Sequence, residues 1–499
     1  MQFKVSTESI ISLATDCLII TYTEDRDGLR GLAEQVDERM DHRISQLIAE
    51  REIKGEFAEV TIVHTWGKIP AKRVLVLGLG KEENLTLEKA RAAFAIAARK
   101  AQSIGVKELT LAISQKYKDL WNPVDLGQVA VEAMMLGSYQ YSPYKKKEKT
   151  ENQLERVIVT VDGISVSAVE AGVERGIIFA QSQNLARDLT NTPANRMTPT
   201  ILAEKAKEIA RKHQMEIEIL EKEQLQELNM GAFLGVAQGS NEPPKMIIIK
   251  YLGAPDCKDV IGYVGKGITF DAGGIQIKPE KDMDEMKGDM AGAAAVLAAM
   301  NAIGTLKPHV NVIAVIPACE NMVSGHAIHP GDVVDTFSGK TVEIKHTDAE
   351  GRLILADAIA YAKYLGATKL VDIATLTGSV ISALGNSITG VFTNSEAWKK
   401  EVFEAAKISG EKVWELPLID DYEELVKSDI ADLKNDAGFG AGAIQGAMFL
   451  KQFAGDTPWV HLDIAGTADS KEIKGIHTKG ATGEMVRTLI SLAIRFGGK

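Results

Sequence analysis

Cysteine is scarce in this sequence. Cys17, Cys257 and Cys319 are the only three among 499 residues, far apart and without a CxxC spacing. That excludes a disulfide framework and a zinc–thiolate site, and it suits a reducing compartment. Positive charge is in deficit too, with 57 Lys and Arg against 68 Asp and Glu and a net charge of -11. Neutralising phosphates takes clustered Lys and Arg, so nucleic-acid or anionic-membrane partners are not expected. One local basic run, "SPYKKKEKTENQ" (Ser142–Gln153), reads as a solvated loop. No run of 18 apolar residues occurs, and "MQFKVSTESI" lacks the basic-then-apolar signal pattern. The expected location is therefore the cytoplasm, with no membrane partner. Neither a GxSxG elbow, an HExxH helix nor a GxxxxGK[ST] loop is present, which removes the commonest serine-hydrolase, zincin and P-loop readings. No repeat recurs at a fixed period.

What is present is a globular composition, 45% hydrophobic and 25% charged, in a chain too long for one ordinary core. Strand-like runs ("DCLIITYT", "RVLVLGLG", "ELTLAIS", "RVIVTVDG") alternate with helical ones across residues 1–165, which read as a first α/β domain. A second alternation fills 166–499. Its strand candidates are "MIIIKY", "DVIGYVGKG", "VNVIAVIPA", "TVEIKHT", "KLVDIATL", "GVFTN" and "WVHLDIAG", separated by helices such as "MAGAAAVLAAMNAIG". Apolar strands alternating with helices predict a mostly parallel sheet flanked by helices. In such sheets chemistry gathers beyond the carboxyl ends of the strands. Thr198-Pro199 predicts a helix start.

Gly78-x-Gly80 after "VLVL" suggests dinucleotide binding, but the third glycine and the later acidic residue are missing, so a plain strand-to-helix turn is expected. "HTDAEGRLILADAI" is harder to dismiss. Thr347 and Glu350, three apart before a helix, fit a capping box. If the chain is extended there, Asp348 and Glu350 instead face the same side, and two carboxylates held together need a proton or a cation between them. "YVGKGITFDAGGIQIKPEKDMDEMKGDMAGAAAV" adds Lys266, Asp271, Lys278 and Asp289. Asp271 follows an apolar strand and precedes Gly273-Gly274, which lets another group approach closely. Asp289 stands where a helix N-cap would. Lys266, between two glycines in an apolar strand, is costly to bury unless paired or deprotonated. If these strand ends and helix starts converge, four carboxylates need divalent cations, as in two-metal hydrolytic sites. An all-oxygen set suits Mn or Mg as readily as Zn. His461 in "WVHLDIAG" reads as a satisfied residue beside a buried strand.

"VGKGITFDAGGIQIKP", "MKGDMAGAAAV" and "HTDAEGRLILADAI" resemble the leucyl aminopeptidase family, peptidase family M17. The resemblance continues through "NTPANRMTP", "PACENM", "DIATLTG", "ADLKNDAGFGAGAIQGAMFL" and "WVHLDIAGTA". It implies a zinc-exopeptidase-like catalytic domain behind a macro-domain-like N-terminal one. It further implies two divalent ions, Mn²⁺ or Zn²⁺, with Asp271 and Glu350 bridging both, Lys266 and Asp289 completing the tighter site, and Asp348 the more exchangeable one. Lys278 and Arg352 match the family's catalytic pair, Arg352 holding a bicarbonate ion that shuttles the proton. Met286, Thr375, Leu376, Gly378 and Ala465 match the lining of an apolar side-chain pocket. The implied reaction is attack of a metal-bridging hydroxide on the first peptide bond of a substrate with a free N-terminus, in a homohexamer. The chain departs from the family at His346, usually Asn, and across "MVSGHAIHPGD" (Met322–Asp332). A competing class of function is a catalytically silent nucleotide- or DNA-binding scaffold.

Overall fold

The computed structural model describes residues 1–25, 28–113, 117, 120–146 and 153–498; within the Lys-rich run, 147–152 lie outside the described residues. The chain divides into two compact units, Met1–Gln181 with Glu472–Thr478, and Ser182–Lys471 with Lys479–Lys499. The division falls inside one helix, Val166–Asn191.

In the first unit a six-stranded sheet runs in the order Gln2–Ser6, Arg156–Val161, Glu108–Ile113, Cys17–Tyr22, Arg73–Gly78, Val60–His64. Only the last pairing is antiparallel. The two outermost strands were not legible in the sequence: "QFKVS" and "VTIVH" are short and only partly buried. Thr86 caps the helix Leu87–Ser103, its hydroxyl accepting from Lys89 N (3.2 Å). That helix buries a run of alanines against Pro123–Gly137, where Gly137 lies too close to Ala95 for any side chain. Gly78 ends its strand against the Glu56 carbonyl, so close that a Cβ would stand 2.1 Å from it. Its smallness serves this chain crossing.

The second unit is built on a nine-stranded mixed sheet. Its central run is Trp459–Asp463, Lys369–Ala374, Val260–Gly265 and Asn311–Asn321, all parallel, with Gly267–Asp271 also parallel to Asn311–Asn321. Antiparallel strands Lys245–Leu252 and Glu216–Leu220 extend one side, and Thr389–Thr393 with Val413–Glu415 the other. The expected strand "TVEIKHT" is not in this sheet. Only Thr341–Glu343 is extended, in a separate three-stranded sheet with Val333–Asp335 and Leu433–Lys434. Helix Pro199–His213 begins where Thr198-Pro199 predicts, with the Thr198 hydroxyl accepting from Ile201 N (3.4 Å).

The helices Ala291–Leu306 and Glu350–Tyr364 are almost wholly buried. Met283–Leu306 has the length and composition to cross a bilayer, yet its most apolar 18-residue stretch is 83% buried inside the protein, as befits a core helix. Within Glu350–Tyr364, the Asp357 carboxylate accepts from Phe233 N (2.9 Å) and Phe337 N (2.8 Å), fixing this helix to the first turn of helix Gly231–Ala237 and to the turn at Phe337. Register then sets the site. Ile373 lies opposite Gly265, Ala374 opposite Asp463, and Asp271 opposite Asn321, so the residues that follow leave the sheet at one end.

Candidate metal centre

Lys266 follows the strand Val260–Gly265, 2% exposed, with its backbone bonded to Ile373 O (3.0 Å) and Ala293 N (2.8 Å). Glycines clear its path. A Cβ on Gly351 would meet the Lys266 Cε at 2.7 Å, and one on Gly265 would meet Gly292 O at the same distance. The ammonium lies 2.8 Å from Asp289 Oδ1, 2.8 Å from Glu350 Oε1 and 3.0 Å from Thr375 O. Asp289 does not cap a helix. It follows the 3₁₀ turn Met283–Gly288, and the next helix, capped at Met290, takes no side-chain cap bond. Its Oδ1 instead accepts from the Thr375 hydroxyl (2.7 Å).

Asp271 ends the strand Gly267–Asp271. Its Oδ1 accepts from Gly273 N (2.9 Å) and Asn321 Nδ2 (2.8 Å), and its Oδ2 faces Lys278 Nζ at 2.7 Å. Gly273 and Gly274 have φ of +90° and +67°, and a Cβ on Gly273 would stand 2.9 Å from Asp348 Oδ1. Only glycine takes that turn and leaves room for the approach. Lys278 also reaches Asp348 Oδ1 (2.5 Å). One oxygen each from Asp271, Asp348 and Glu350 falls within 4.8 Å of the others.

The capping box fails. Helix Glu350–Tyr364 has Ala349 at its N-cap and no side-chain cap bond. The Thr347 hydroxyl donates to Gly273 O (2.7 Å) and accepts from Gln276 N (3.0 Å), so it pins the glycine turn beneath Asp271. Asp348 and Glu350 do not share one extended strand; Asp348 lies in a turn and Glu350 opens the helix.

Asn435 was missed by sequence reading. It is buried, its Oδ1 accepts from Lys345 N (2.7 Å) and His346 N (3.2 Å), and its Nδ2 donates to His346 O (2.7 Å) and Ala349 O (3.3 Å). One amide thus grips the segment carrying Asp348, and its backbone carbonyl accepts from Arg352 Nη1 (2.6 Å). Arg352 Nε is buried with no partner among the described residues. Asn321 was missed likewise, because nothing local marks an asparagine whose partner is 50 residues away. His346 Nδ1 accepts from Asp348 N (3.2 Å). An asparagine oxygen can accept the same N–H two residues on, as in an Asx turn. His346→Asn is therefore expected to keep most of the hydrolytic rate in a steady-state assay, and loss of most of it would give His346 a role beyond this bond.

Four carboxylates and two ammonium groups leave a formal excess of negative charge in a buried space. Burial, then the neighbouring Glu350, pushes Asp271 up to about 7, against the pull of Lys278 and Lys266. Burial likewise carries Asp289 well above the carboxylate range. Burial alone would raise Glu350 and lower Lys266. Instead the two lysines hold Glu350 down, and Asp289, Glu350 and Asp271 hold Lys266 above the usual lysine range. Such a cluster keeps protons that divalent ions displace on binding. The donor set fits such ions: Asp289 Oδ2 and Glu350 Oε2 are buried without hydrogen-bond partners among the described residues. Buried acceptors of this kind are costly unless something positive reaches them.

Of the expected pocket residues, Thr375 and Leu376 follow the strand Lys369–Ala374, Gly378 opens the helix Gly378–Leu384, and Ala465 follows the strand Trp459–Asp463. Asp463 brings Leu376 and Ala465 together by accepting from both backbone amides. Met286 lies half-buried in the 3₁₀ turn Met283–Gly288, on a different segment from the other four. His461 is only half satisfied. Its Nδ1 pairs with Asp372 (2.5 Å), while its buried Nε2 has no partner among the described residues.

Clustered carboxylates and lysines at the carboxyl end of a mixed sheet form a site able to hold divalent metal, the arrangement that metal-dependent hydrolases use. Residues 184–490 match the catalytic domain of the cytosol aminopeptidase family and residues 19–148 its N-terminal domain. The chain is 47% identical over 499 residues to a probable cytosol aminopeptidase of Alkaliphilus metalliredigens (strain QYMF), covering 99% of each chain. It is 44% identical over 494 residues to that of Alkaliphilus oremlandii (strain OhILAs), again covering 99% of each. Among solved structures, a point mutant of tomato leucine aminopeptidase superposes with a TM-score of 0.90 at 34% identity, covering 99% of this chain and 96% of that one. The bottromycin maturation enzyme BotP in complex with Mn gives 0.84 at 31%, covering 97% and 100%. The chain belongs to the cytosol aminopeptidase family, the M17 leucyl aminopeptidases. It is a metal-dependent aminopeptidase that uses divalent metal and acts on peptides. A silent nucleotide- or DNA-binding scaffold is not favoured by these matches.

Proposed function

We propose that Lys266, Asp271, Asp289, Asp348 and Glu350 hold two divalent ions, Mn²⁺ or Zn²⁺, and that the enzyme releases leucine and similar apolar residues from peptide N-termini. The observation that carries this reading is the convergence of these five side chains with Lys278, including two buried carboxylate oxygens without partners among the described residues. Asp271 pairs with Lys278 and Glu350 with Lys266; by the family resemblance both carboxylates would serve both ions, with Lys266 and Asp289 completing one site and Asp348 the other. When bound, the ions supply an acidified water as nucleophile and Lewis-acid polarisation of the peptide carbonyl.

The chain's own residues do the rest. Lys278, 20% exposed and held between Asp271 and Asp348, faces the site as a fixed positive charge for a developing oxyanion. Lys266 would give up its proton to serve as an amine ligand. Arg352, anchored by one N–H to Asn435 O and with Nε unpartnered among the described residues, would hold a bicarbonate ion as proton acceptor, since the carboxylates are engaged with cations. Thr375, Leu376, Gly378 and Ala465, with Met286, would line the side-chain pocket. A cytoplasmic homohexamer follows from the family resemblance.

A free α-amine that binds in the site makes the enzyme an exopeptidase. With Mn²⁺ present, leucine p-nitroanilide should be hydrolysed and N-acetyl-leucine p-nitroanilide should not. Equal release from both would overturn the exopeptidase reading.

A further inference from the structure

Asp463 is buried at the carboxyl end of the strand Trp459–Asp463, and no step of the proposed chemistry uses it. Its Oδ1 accepts from Leu376 N (3.1 Å) and Ala465 N (3.2 Å), and its Oδ2 accepts from the Thr377 hydroxyl (2.7 Å). A carboxylate is acceptor-only, and here all three of its partners are donors. They belong to two different loops, one following Lys369–Ala374 and one following Trp459–Asp463, whose strand ends lie in parallel register. Thr377 passes the constraint on, because the same hydroxyl accepts from Val380 N (3.2 Å) and caps the helix Gly378–Leu384.

The far side of the first loop is tied to the metal centre. Thr375 O accepts from Lys266, and its hydroxyl donates to Asp289. Leu376 therefore sits between two anchors only one residue apart on either side. Gly446, on the helix Gly442–Ala454, faces Leu376: a Cβ there would stand 3.0 Å from Leu376 Cδ2, so the glycine leaves the leucine side chain its place beside that helix.

We propose that Asp463 is a positioning residue that sets side-chain selectivity by clamping the loops carrying Leu376 and Ala465 at a fixed separation. This rests on the reading of Thr375, Leu376, Gly378 and Ala465 as the pocket. Two loops bound to one carboxylate cannot spread to admit a larger residue or close on a smaller one.

The test measures kcat and KM for the p-nitroanilides of leucine and alanine, with Mn²⁺ binding as a second readout, on four variants. Asp463→Ala should lower the leucine-to-alanine ratio of kcat/KM by about tenfold, the low end of what one pocket methylene discriminates. The loss should lie mainly in KM for leucine, with Mn²⁺ binding retained. Thr377→Val should move the ratio the same way, Thr377→Ser should restore it, and these two decide if Asp463→Ala fails to fold. Leu376→Ala tests the pocket itself. An unchanged ratio there removes the reading on which the clamp rests. A changed ratio there, with none in Asp463→Ala or Thr377→Val, removes the clamp alone. Equal loss on both substrates with weakened Mn²⁺ binding would also overturn it, by assigning Asp463 to the metal centre.

Discussion

Asparagine in place of Asp271 is expected to lower kcat by about 10³-fold or more, because the metal ions' several kcal/mol of transition-state stabilisation depends on the lost charge. The amide keeps its size and one acceptor, so the bonds from Gly273 N and Asn321 Nδ2 can persist. What changes is Oδ2, 2.7 Å from Lys278. An amide NH₂ there puts donor against donor and withdraws the negative charge that a second cation needs. Folding should not suffer, since removing one of several crowded carboxylates relieves repulsion in the metal-free protein. Steady-state kinetics and a thermal melt of the same sample therefore give a clear outcome: activity gone, melting temperature held or raised. Activity within tenfold of the parent would remove Asp271 from the shared position.

Chelation is the second large effect. Stripping divalent ions should abolish release of leucine from leucine p-nitroanilide, and added Mn²⁺ should restore it. Lys266, Asp289, Glu350 and Asp271 are positioned by elements that do not need an ion: parallel strands in fixed register, a glycine turn pinned by Thr347, and the helix Glu350–Tyr364. Recovery should accordingly be immediate, without refolding. Protons leave the site as ions enter, so metal affinity should rise with pH as the Asp271 carboxyl, pushed up to about 7, ionises.

Much of the catalytic sheet was legible because its central strands are buried on both faces and read as continuous apolar runs. "KLVDIATL" and "WVHLDIAG" are examples. Edge strands escaped for the opposite reason. "EIEIL" (Glu216–Leu220) alternates polar and apolar residues and resembles a surface stretch. Among the site's charged residues Lys266 stands out locally, as a lysine between two glycines in an apolar strand, whereas Asp289 and Glu350 fit helix caps equally well until the motifs are read together. Their supports give no local sign. Asn435, Asn321 and Asp463 act on segments between 2 and 90 residues away, and only the tertiary fold reveals that. Thr347 shows how a local pattern misleads: its spacing to Glu350 fits a capping box, but the glycine turn offers its hydroxyl closer partners.

The central claim is that two ions occupy one cluster and that Asp271 is shared between them. The direct measurement is Mn²⁺ binding per chain, by titration of chelator-treated protein, for the parent and for Asp271→Asn, with activity read at each step. The account predicts two ions bound by the parent, activity appearing as the second site fills, and at most one ion retained by the inactive variant. Full activity in the metal-free parent, or two ions bound undiminished by an inactive Asp271→Asn, would contradict it.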